Sequence, residues 1–174
     1  MTSIGSSAFQ NCSGLTSVTI GNSVTSINYR AFYNCTNLTS IVIPDSVTSI
    51  GHNDFEGCTS LVNATIGSSV TTTGDSVFKD CTSLTTVNWN AINCTTAGPY
   101  HPIFQNCTNL VTVNIKNNVE VIPSNVFMDC TSLTSITIPD SVTGIGSSAF
   151  QGCTNLASIV IPNGVTRINY FTFK

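Results

Sequence analysis

The sequence predicts a mainly β solenoid in which each coil carries one parallel main strand, a short second strand and short helical or turn segments. Three observations predict this fold class: a repeat with a period of 23, an alternation of apolar and hydroxyl-bearing side chains within each repeat, and turn-forming residues after each alternation. Self-similarity at this period is typical of arrays whose repeats cover one another's apolar faces. The whole chain, residues 1–174, is therefore interpreted as a single domain of about seven coils.

The period is carried by three columns of apolar residues. Cysteines recur at a constant spacing of 23 in the numbering with a single interval of 26, and each is preceded by a phenylalanine and followed by a leucine, both at a distance of three. The cysteines of this column are Cys12, Cys35, Cys58, Cys81, Cys107, Cys130 and Cys153, and the eighth cysteine, Cys94, lies off this register. The phenylalanine column is Phe9, Phe32, Phe55, Phe78, Phe104, Phe127, Phe150 and Phe173, and the leucine column begins at Leu15. The long interval marks an irregular coil at 81–107.

The main strand of each coil follows the leucine. In the first repeat Leu15, Val18 and Ile20 are separated by Ser and Thr, and alternation of this kind is typical of a strand with one buried face. Since the equivalent strand comes one full repeat later and runs in the same direction, the main strands stack in parallel. The pair Val24 and Ile27 predicts the short second strand. Turn-forming residues such as Pro44-Asp45-Ser46 separate the main strand from the second strand.

These repeats resemble a known family. The segment 38–51, L-T-S-I-V-I-P-D-S-V-T-S-I-G, followed by Phe55-Glu-Gly-Cys58, is similar to the BspA-like class of leucine-rich repeats, and the resemblance covers essentially the whole chain. It implies a right-handed solenoid in surface or secreted proteins of bacteria and some protozoan parasites, used for adhesion. The implied location is extracellular or at the cell surface, and the implied partner is a protein or glycan on a host or neighbouring cell. Met1-Thr2-Ser3 does not predict a signal peptide.

Composition argues against several classes of partner. Only 7% of the residues are charged and the net charge is −3, whereas ordinary domains carry about 25% charged residues. The five cations are scattered, so no basic stripe predicts nucleic-acid binding or attraction to an anionic membrane. No apolar run approaches the length of about 18 residues that predicts insertion into a membrane.

The cysteine column predicts buried free thiols that act as small apolar side chains. A disulfide is the alternative, but stacked thiols about 4.8 Å apart are spaced too widely for a bond that wants Cβ atoms at about 3.8 Å. There is no C-x-x-C motif and the only histidines are His52 and His101, so we expect no metal site. We expect no cofactor, no catalytic residue and no enzymatic activity, because neither a nucleophile set nor a phosphate loop is present.

The outward positions of the main strands form two columns of candidate binding residues. The first is Ser17, Ser40, Asn63, Thr86, Thr112, Ser135 and Ser158. The second is Thr19, Val42, Thr65, Asn88, Asn114, Thr137 and Val160. A sheet of hydroxyls and amides predicts a platform for a protein loop or a glycan, although the same side chains also keep an exposed sheet soluble. Ice binding is a further alternative, but the Asn and Val members interrupt the threonine rows it would need.

The irregular coil adds three candidate binding residues. Trp89, Tyr100 and His101 lie where insertions of solenoids often carry function. The alternative is that Trp89 fills the core and the prolines of this coil shape a longer turn. The acidic stretch nearby, which includes Asp54 and Asp75, is expected to be a solvated edge.

The two ends predict self-association. The terminal repeats lack polar caps, so this chain is either a piece of a longer protein or its ends meet other chains. In the second case we expect head-to-tail stacking into filaments. The apolar surface would come from Met1, Ile4 and Phe9 at one end and from Tyr170, Phe171 and Phe173 at the other.

Overall fold

The computed structural model describes residues 1–174 and consists of short parallel strands joined by turns, with no helix. In chain order the strands are β1 (Ser3–Ile4), β2 (Ser26–Ile27), β3 (Ser40–Val42), β4 (Ser49–Ile50), β5 (Asn63–Ile66), β6 (Thr72–Thr73), β7 (Thr86–Trp89), β8 (Thr96–Ala97), β9 (Thr112–Ile115), β10 (Val121–Ile122), β11 (Ser135–Thr137), β12 (Gly144–Ile145) and β13 (Ser158–Val160). The segments predicted as helix or turn are turns.

The main strands form one six-stranded sheet in the order β13-β11-β9-β7-β5-β3. The second strands form a five-stranded sheet, β1-β2-β4-β6-β8, and a separate pair, β10-β12. All pairs are parallel, as the period predicts, and equivalent residues face each other: Ser40 pairs with Asn63, and Asn63 pairs with Thr86. The strand predicted at residues 15–20 is absent.

The core is one continuous apolar cluster that runs along the solenoid and includes the interior phenylalanines, cysteines and leucines. Successive phenylalanine rings are stacked: the first four pairs have centroids 5.0 to 5.3 Å apart. Each interior ring is therefore covered above and below by the equivalent ring of a neighbouring coil. Stacking thus buries side chains that a single coil would leave exposed.

Strand pairing between coils is interrupted at one boundary, which we call the seam and which separates residues 96–115 from residues 121–137. Strand β8 does not pair with β10, and β9 and β11 share only the pair Asn114 and Thr137, whereas β7 and β9 share four pairs. The centroids of Phe104 and Phe127 are 5.9 Å apart, farther than in the four preceding pairs. The pairing resumes beyond the seam, where β11 and β13 share three pairs.

The insertion in the irregular coil supplies one cause of the seam. Strands β5 and β7 align Asn63 with Thr86, and these two residues are separated by one regular period. Strands β6 and β8 align Thr72 with Thr96, and their separation is one residue longer than the period. One extra residue therefore lies between β7 and β8, and two more precede Phe104. In the next coil the N–H of Glu120 bonds to the carbonyl of Ile92 rather than to that of the equivalent Thr95. The register at β8 and β10 is displaced by three residues as a result.

Pro123 supplies a second cause. The equivalent positions in other coils include Gly51, Gly74 and Gly146, whose N–H groups each donate to an isoleucine carbonyl of the preceding coil at 2.8 to 2.9 Å. A Cβ atom added at any of the three would lie 2.3 to 2.7 Å from backbone nitrogen, which is too close for a side chain. Proline brings both a ring and the loss of the N–H donor to this position.

Candidate functional site

The outer face of the six-stranded sheet carries the two predicted columns of polar side chains. Alternation along each strand buries one set and presents the other: in β3 Ile41 is buried, whereas Ser40 and Val42 are exposed. The same pattern holds in β9 and β11, so Thr112, Asn114, Ser135 and Thr137 point to solvent. We call these two columns, from Ser40 to Ser158 and from Val42 to Val160, the outer sheet face.

Three of the predicted residues are linked across neighbouring strands. The side-chain amide of Asn114 donates to Asn88 Oδ1 at 2.9 Å, and the amide of Asn88 donates to Thr65 Oγ1 at 3.0 Å. This chain of hydrogen bonds fixes the orientation of both amides. It therefore presents their remaining donor and acceptor groups in a defined arrangement.

A groove of about 360 Å³ lies on this face where β9 and β11 are splayed at the seam. Its lining includes four predicted residues, Thr112, Asn114, Ser135 and Thr137. It also includes Asn117, which sequence reasoning missed because Asn117 follows β9 in the turn, outside the alternating columns. We call this depression the β9/β11 groove. None of its ten lining residues is charged.

The other predicted residues of the outer sheet face lie away from the groove. Ser40, Thr86 and the linked pair Thr65 and Asn88 belong to β3, β5 and β7. Ser17 and Thr19 are exposed in the first coil, which has no main strand. The structure thus gathers part of the predicted set at one place and spreads the rest along the face.

The prediction that Trp89 anchors a ligand is wrong. Its side chain is fully buried at 0% exposure and makes an edge-on contact with Phe127, with centroids 5.9 Å apart. Trp89 ends β7 at a position that alternation directs inward, which is the core-filling alternative. Tyr100 and His101 do lie at the surface, and Tyr100 is 83% exposed.

The acidic stretch is not the solvated edge that the sequence predicts. The carboxylate of Asp75 accepts hydrogen bonds from the N–H groups of Tyr100 and His101, at 2.8 and 2.9 Å, and so anchors the inserted loop. Burial opposes ionisation of Asp75, but these two N–H groups and the charges of His52 and His101 together outweigh it and hold the pKa of Asp75 below its usual value. Asp54 is fully buried and accepts from the N–H groups of Ala31 and Gly51. Burial raises the pKa of Asp54 to about 7.

All eight cysteines are free, and those of the interior coils are buried as predicted. Burial raises the pKa of Cys58 and Cys107 to about 12 and that of Cys81 well above its usual value. The off-register Cys94 is also buried, so it serves the core of the irregular coil.

Of the residues predicted to form the contact between chain ends, all but one are exposed. Met1, Phe9, Tyr170, Phe171 and Phe173 are exposed. Ile4 is not: it is only 4% exposed, because β1 pairs with β2 and places Ile4 beside Ile27. Ile4 is therefore removed from the end contact that the sequence predicts.

Comparison with known proteins agrees with this architecture. A family model described as the BspA type leucine rich repeat region matches the chain over residues 1–101 and 98–174, with six copies. Among curated proteins no match is found. The structure contains no helix with the length and apolar character needed to cross a membrane.

Solved leucine-rich repeat proteins from three organisms share the fold. One from Bacteroides ovatus is 26% identical, with a TM-score of 0.70, over 95% of this chain and 48% of its own. One from Eubacterium ventriosum is 30% identical, with a TM-score of 0.73, over 90% of this chain and 41% of its own. A leucine rich cell surface protein from Faecalibacterium prausnitzii is 30% identical, with a TM-score of 0.55, over 98% of this chain and 54% of its own. The present chain thus spans less than half of the length of the first two proteins.

Proposed function

Since this chain belongs to the BspA-type leucine-rich repeat family, we propose that it is a non-catalytic interaction module that holds its ligand on the outer sheet face. The observation that carries the proposal is the concentration of exposed, oriented polar groups at the β9/β11 groove. Hydroxyl and amide side chains both donate and accept hydrogen bonds, so they suit recognition of a polar surface. No group on this face is poised for acid, base or nucleophilic chemistry, which supports a binding role.

We further propose that the module works outside the cell, in adhesion to a host or neighbouring cell. The likeness to the cell surface protein of Faecalibacterium prausnitzii supports this location. A surface with few charges also suits short-range contact through hydrogen bonds rather than long-range electrostatic steering.

The proposal is tested by cell binding of the fluorescently labelled chain. The variant Asn114→Lys places a charge on the outer sheet face and removes the amide that donates to Asn88. We expect it to lose most of the binding to epithelial cells and to neighbouring bacterial cells. Asn93→Lys adds the same charge at an exposed turn away from this face and should bind like the parent. Equal binding by both variants, or no binding by the parent, would refute the proposal.

A second candidate function, end-to-end assembly, is favoured by the partly exposed rings that terminate the phenylalanine stack. Phe9 and Phe173 each contact one neighbouring ring only. A depression of about 500 Å³ beside Phe173 is lined by Phe150, Cys153 and Leu156, among others. Sedimentation velocity over a range of concentrations tests this candidate, because Phe173→Ser should abolish any association of the chain. A parent chain that stays monomeric at high concentration rules it out.

A further inference from the structure

We propose that the β9/β11 groove binds a neutral saccharide. This inference rests on the proposed function, because it uses the same face, and it goes further by naming the class of ligand. It follows from three properties of the groove, namely the chemistry of its walls, the apolar character of its floor and its lack of charge.

The walls match the hydroxyl groups of a sugar. Thr112, Ser135 and Thr137 contribute hydroxyls, and Asn114 and Asn117 contribute amides. A sugar hydroxyl donates one hydrogen bond and accepts others, and each of these side chains does both. Because one N–H of Asn114 is already used by Asn88, its amide has a fixed orientation and offers the remaining N–H and the carbonyl oxygen.

The floor of the groove is apolar and partly exposed. Val113, Ile115 and Ile136 line the groove and are 6 to 8% exposed. The equivalent Val87 in β7, where pairing is complete, is fully buried. The splay of β9 from β11 therefore uncovers the edges of core side chains between two polar walls. A sugar ring needs this combination, because its faces present C–H groups and its rim presents hydroxyls.

The lack of charge decides between classes of small ligand. Phosphate and carboxylate groups are recognised by charge-assisted hydrogen bonds from Arg or Lys, and the lining contains neither. The volume of about 360 Å³ falls at the lower end of the range of about 300 to 1,000 Å³ that is typical of small-molecule sites. A neutral ligand of one or two sugar rings is the class that fits both the size and the chemistry.

The test is an NMR titration of the whole chain that follows the side-chain amides of Asn114 and Asn117. The probes are glucose, galactose, N-acetylglucosamine, lactose and cellobiose, each raised to about 50 mM so that a Kd of about 1 mM is well exceeded. We expect saturable shifts of both amides with at least one probe. Glucuronate and glucose 6-phosphate, the charged counterparts, should bind at least about fivefold more weakly.

Two variants locate the binding. Thr137→Val removes one hydroxyl of the groove and keeps a β-branched residue on the strand, so we expect affinity to fall about three- to tenfold. Thr19→Val makes the same change on an outward position far from the groove and should leave affinity unchanged. Saturable shifts with none of the neutral sugars, equal binding of charged and neutral sugars, or equal effects of the two variants would overturn the inference. If the sugars fail while Asn114→Lys still abolishes cell binding, this inference falls and the proposed function stands.

Discussion

The thiol of Cys81 donates a hydrogen bond of 3.1 Å to the carbonyl oxygen of Phe55, one coil earlier in the stack. The same bond joins Cys35 to Phe9, Cys58 to Phe32, Cys107 to Phe78 and Cys153 to Phe127. Cys130 is the exception, and its counterpart Phe104 lies across the seam. The cysteine column thus ties coils together through backbone carbonyls, which explains why a small apolar residue with a weak donor suits this position.

The burial of the cysteine column predicts which thiols can be labelled. Alkylation requires the thiolate, and burial raises the pKa of Cys58 to about 12 and that of Cys81 well above its usual value. We expect iodoacetamide at pH 8 to modify Cys12, which is exposed, and to leave the interior cysteines intact, as read by peptide mass spectrometry. In guanidinium chloride all eight should react at similar rates. Rapid labelling of Cys81 in the folded chain would contradict the buried column.

Stability should depend on the position of a coil in the stack. Leu84 is fully buried between coils, so Leu84→Ala leaves a cavity that neighbours on both sides keep open, and we expect a loss of about 3 to 5 kcal/mol. Leu156 is only partly buried, and Leu156→Ala should cost about 1 kcal/mol. Urea unfolding followed by far-UV circular dichroism measures both values. Similar losses for the two variants would mean that burial does not govern the contribution of the leucine column.

The buried Asp54 predicts a particular pH dependence. Burial raises its pKa to about 7 from 3.8, so the folded chain holds this proton more tightly than the unfolded chain. The resulting stabilisation is complete below about pH 4 and is lost as the pH rises through about 7. The difference corresponds to a few kcal/mol at most, on the order of 1.4 kcal/mol for each pH unit between the two pKa values.

The variant Asp54→Ala isolates this effect, because Ala31 and Ala149 occupy the same position in other coils. The N–H groups of Ala31 and Gly51 keep their second acceptors, the carbonyls of Asn28 and Ile27. We expect the free energy of unfolding to fall less between pH 4 and pH 8 in this variant than in the parent. Asp140→Ala, at an exposed position, should keep the slope of the parent. Parallel curves for the parent and Asp54→Ala would show that Asp54 does not titrate as described.

Hydrogen exchange should reveal the seam at a single amide. The N–H of Thr85 bonds to Val62 at 3.0 Å and that of Ala157 bonds to Thr134 at 3.2 Å, but the equivalent N–H of Thr134 has no backbone acceptor. We expect Thr134 to exchange at least about tenfold faster than Thr85 and Ala157 in NMR-detected exchange. Ala157 is the more stringent control, because it too is exposed and lies nearer the end of the chain. Equal protection of Thr134 and Ala157 would show that β9 and β11 are fully paired in solution.

Much of the fold is predictable because the period determines which residues stack. The columns of Phe, Cys and Leu place the core, and alternation in the main strands predicts the outward residues, including four that line the groove. These inferences succeed because every coil repeats the same local pattern, so tertiary contacts are equivalent positions of neighbouring coils.

The features that break the repeat are harder to predict. Pro123 is visible in the sequence at a position where other coils have glycine, but its effect depends on the close backbone approach that only the structure shows. Because Asp54 is charged, the sequence alone predicts that it lies at the surface. Its burial depends on N–H groups from Ala31, which lies one full repeat away in sequence, and Gly51. Trp89 is a different case. The alternation of β7 already directs its side chain inward, and only the residue type pointed to a ligand contact.

Because the phenylalanines are stacked, this protein can change in length without a mismatch between coils only by whole repeats. Each interior ring contacts the rings one repeat before and one repeat after it, so the gain or loss of a complete repeat restores every contact with a new partner of the same kind. An insertion of any other size leaves a mismatch, and the three extra residues of the irregular coil show its scale: one weakened boundary, with regular stacking on both sides. Length variation among natural forms of this protein should therefore come in multiples of the repeat. Insertions or deletions of other sizes should be confined to boundaries, such as the seam, where the pairing between coils is already incomplete.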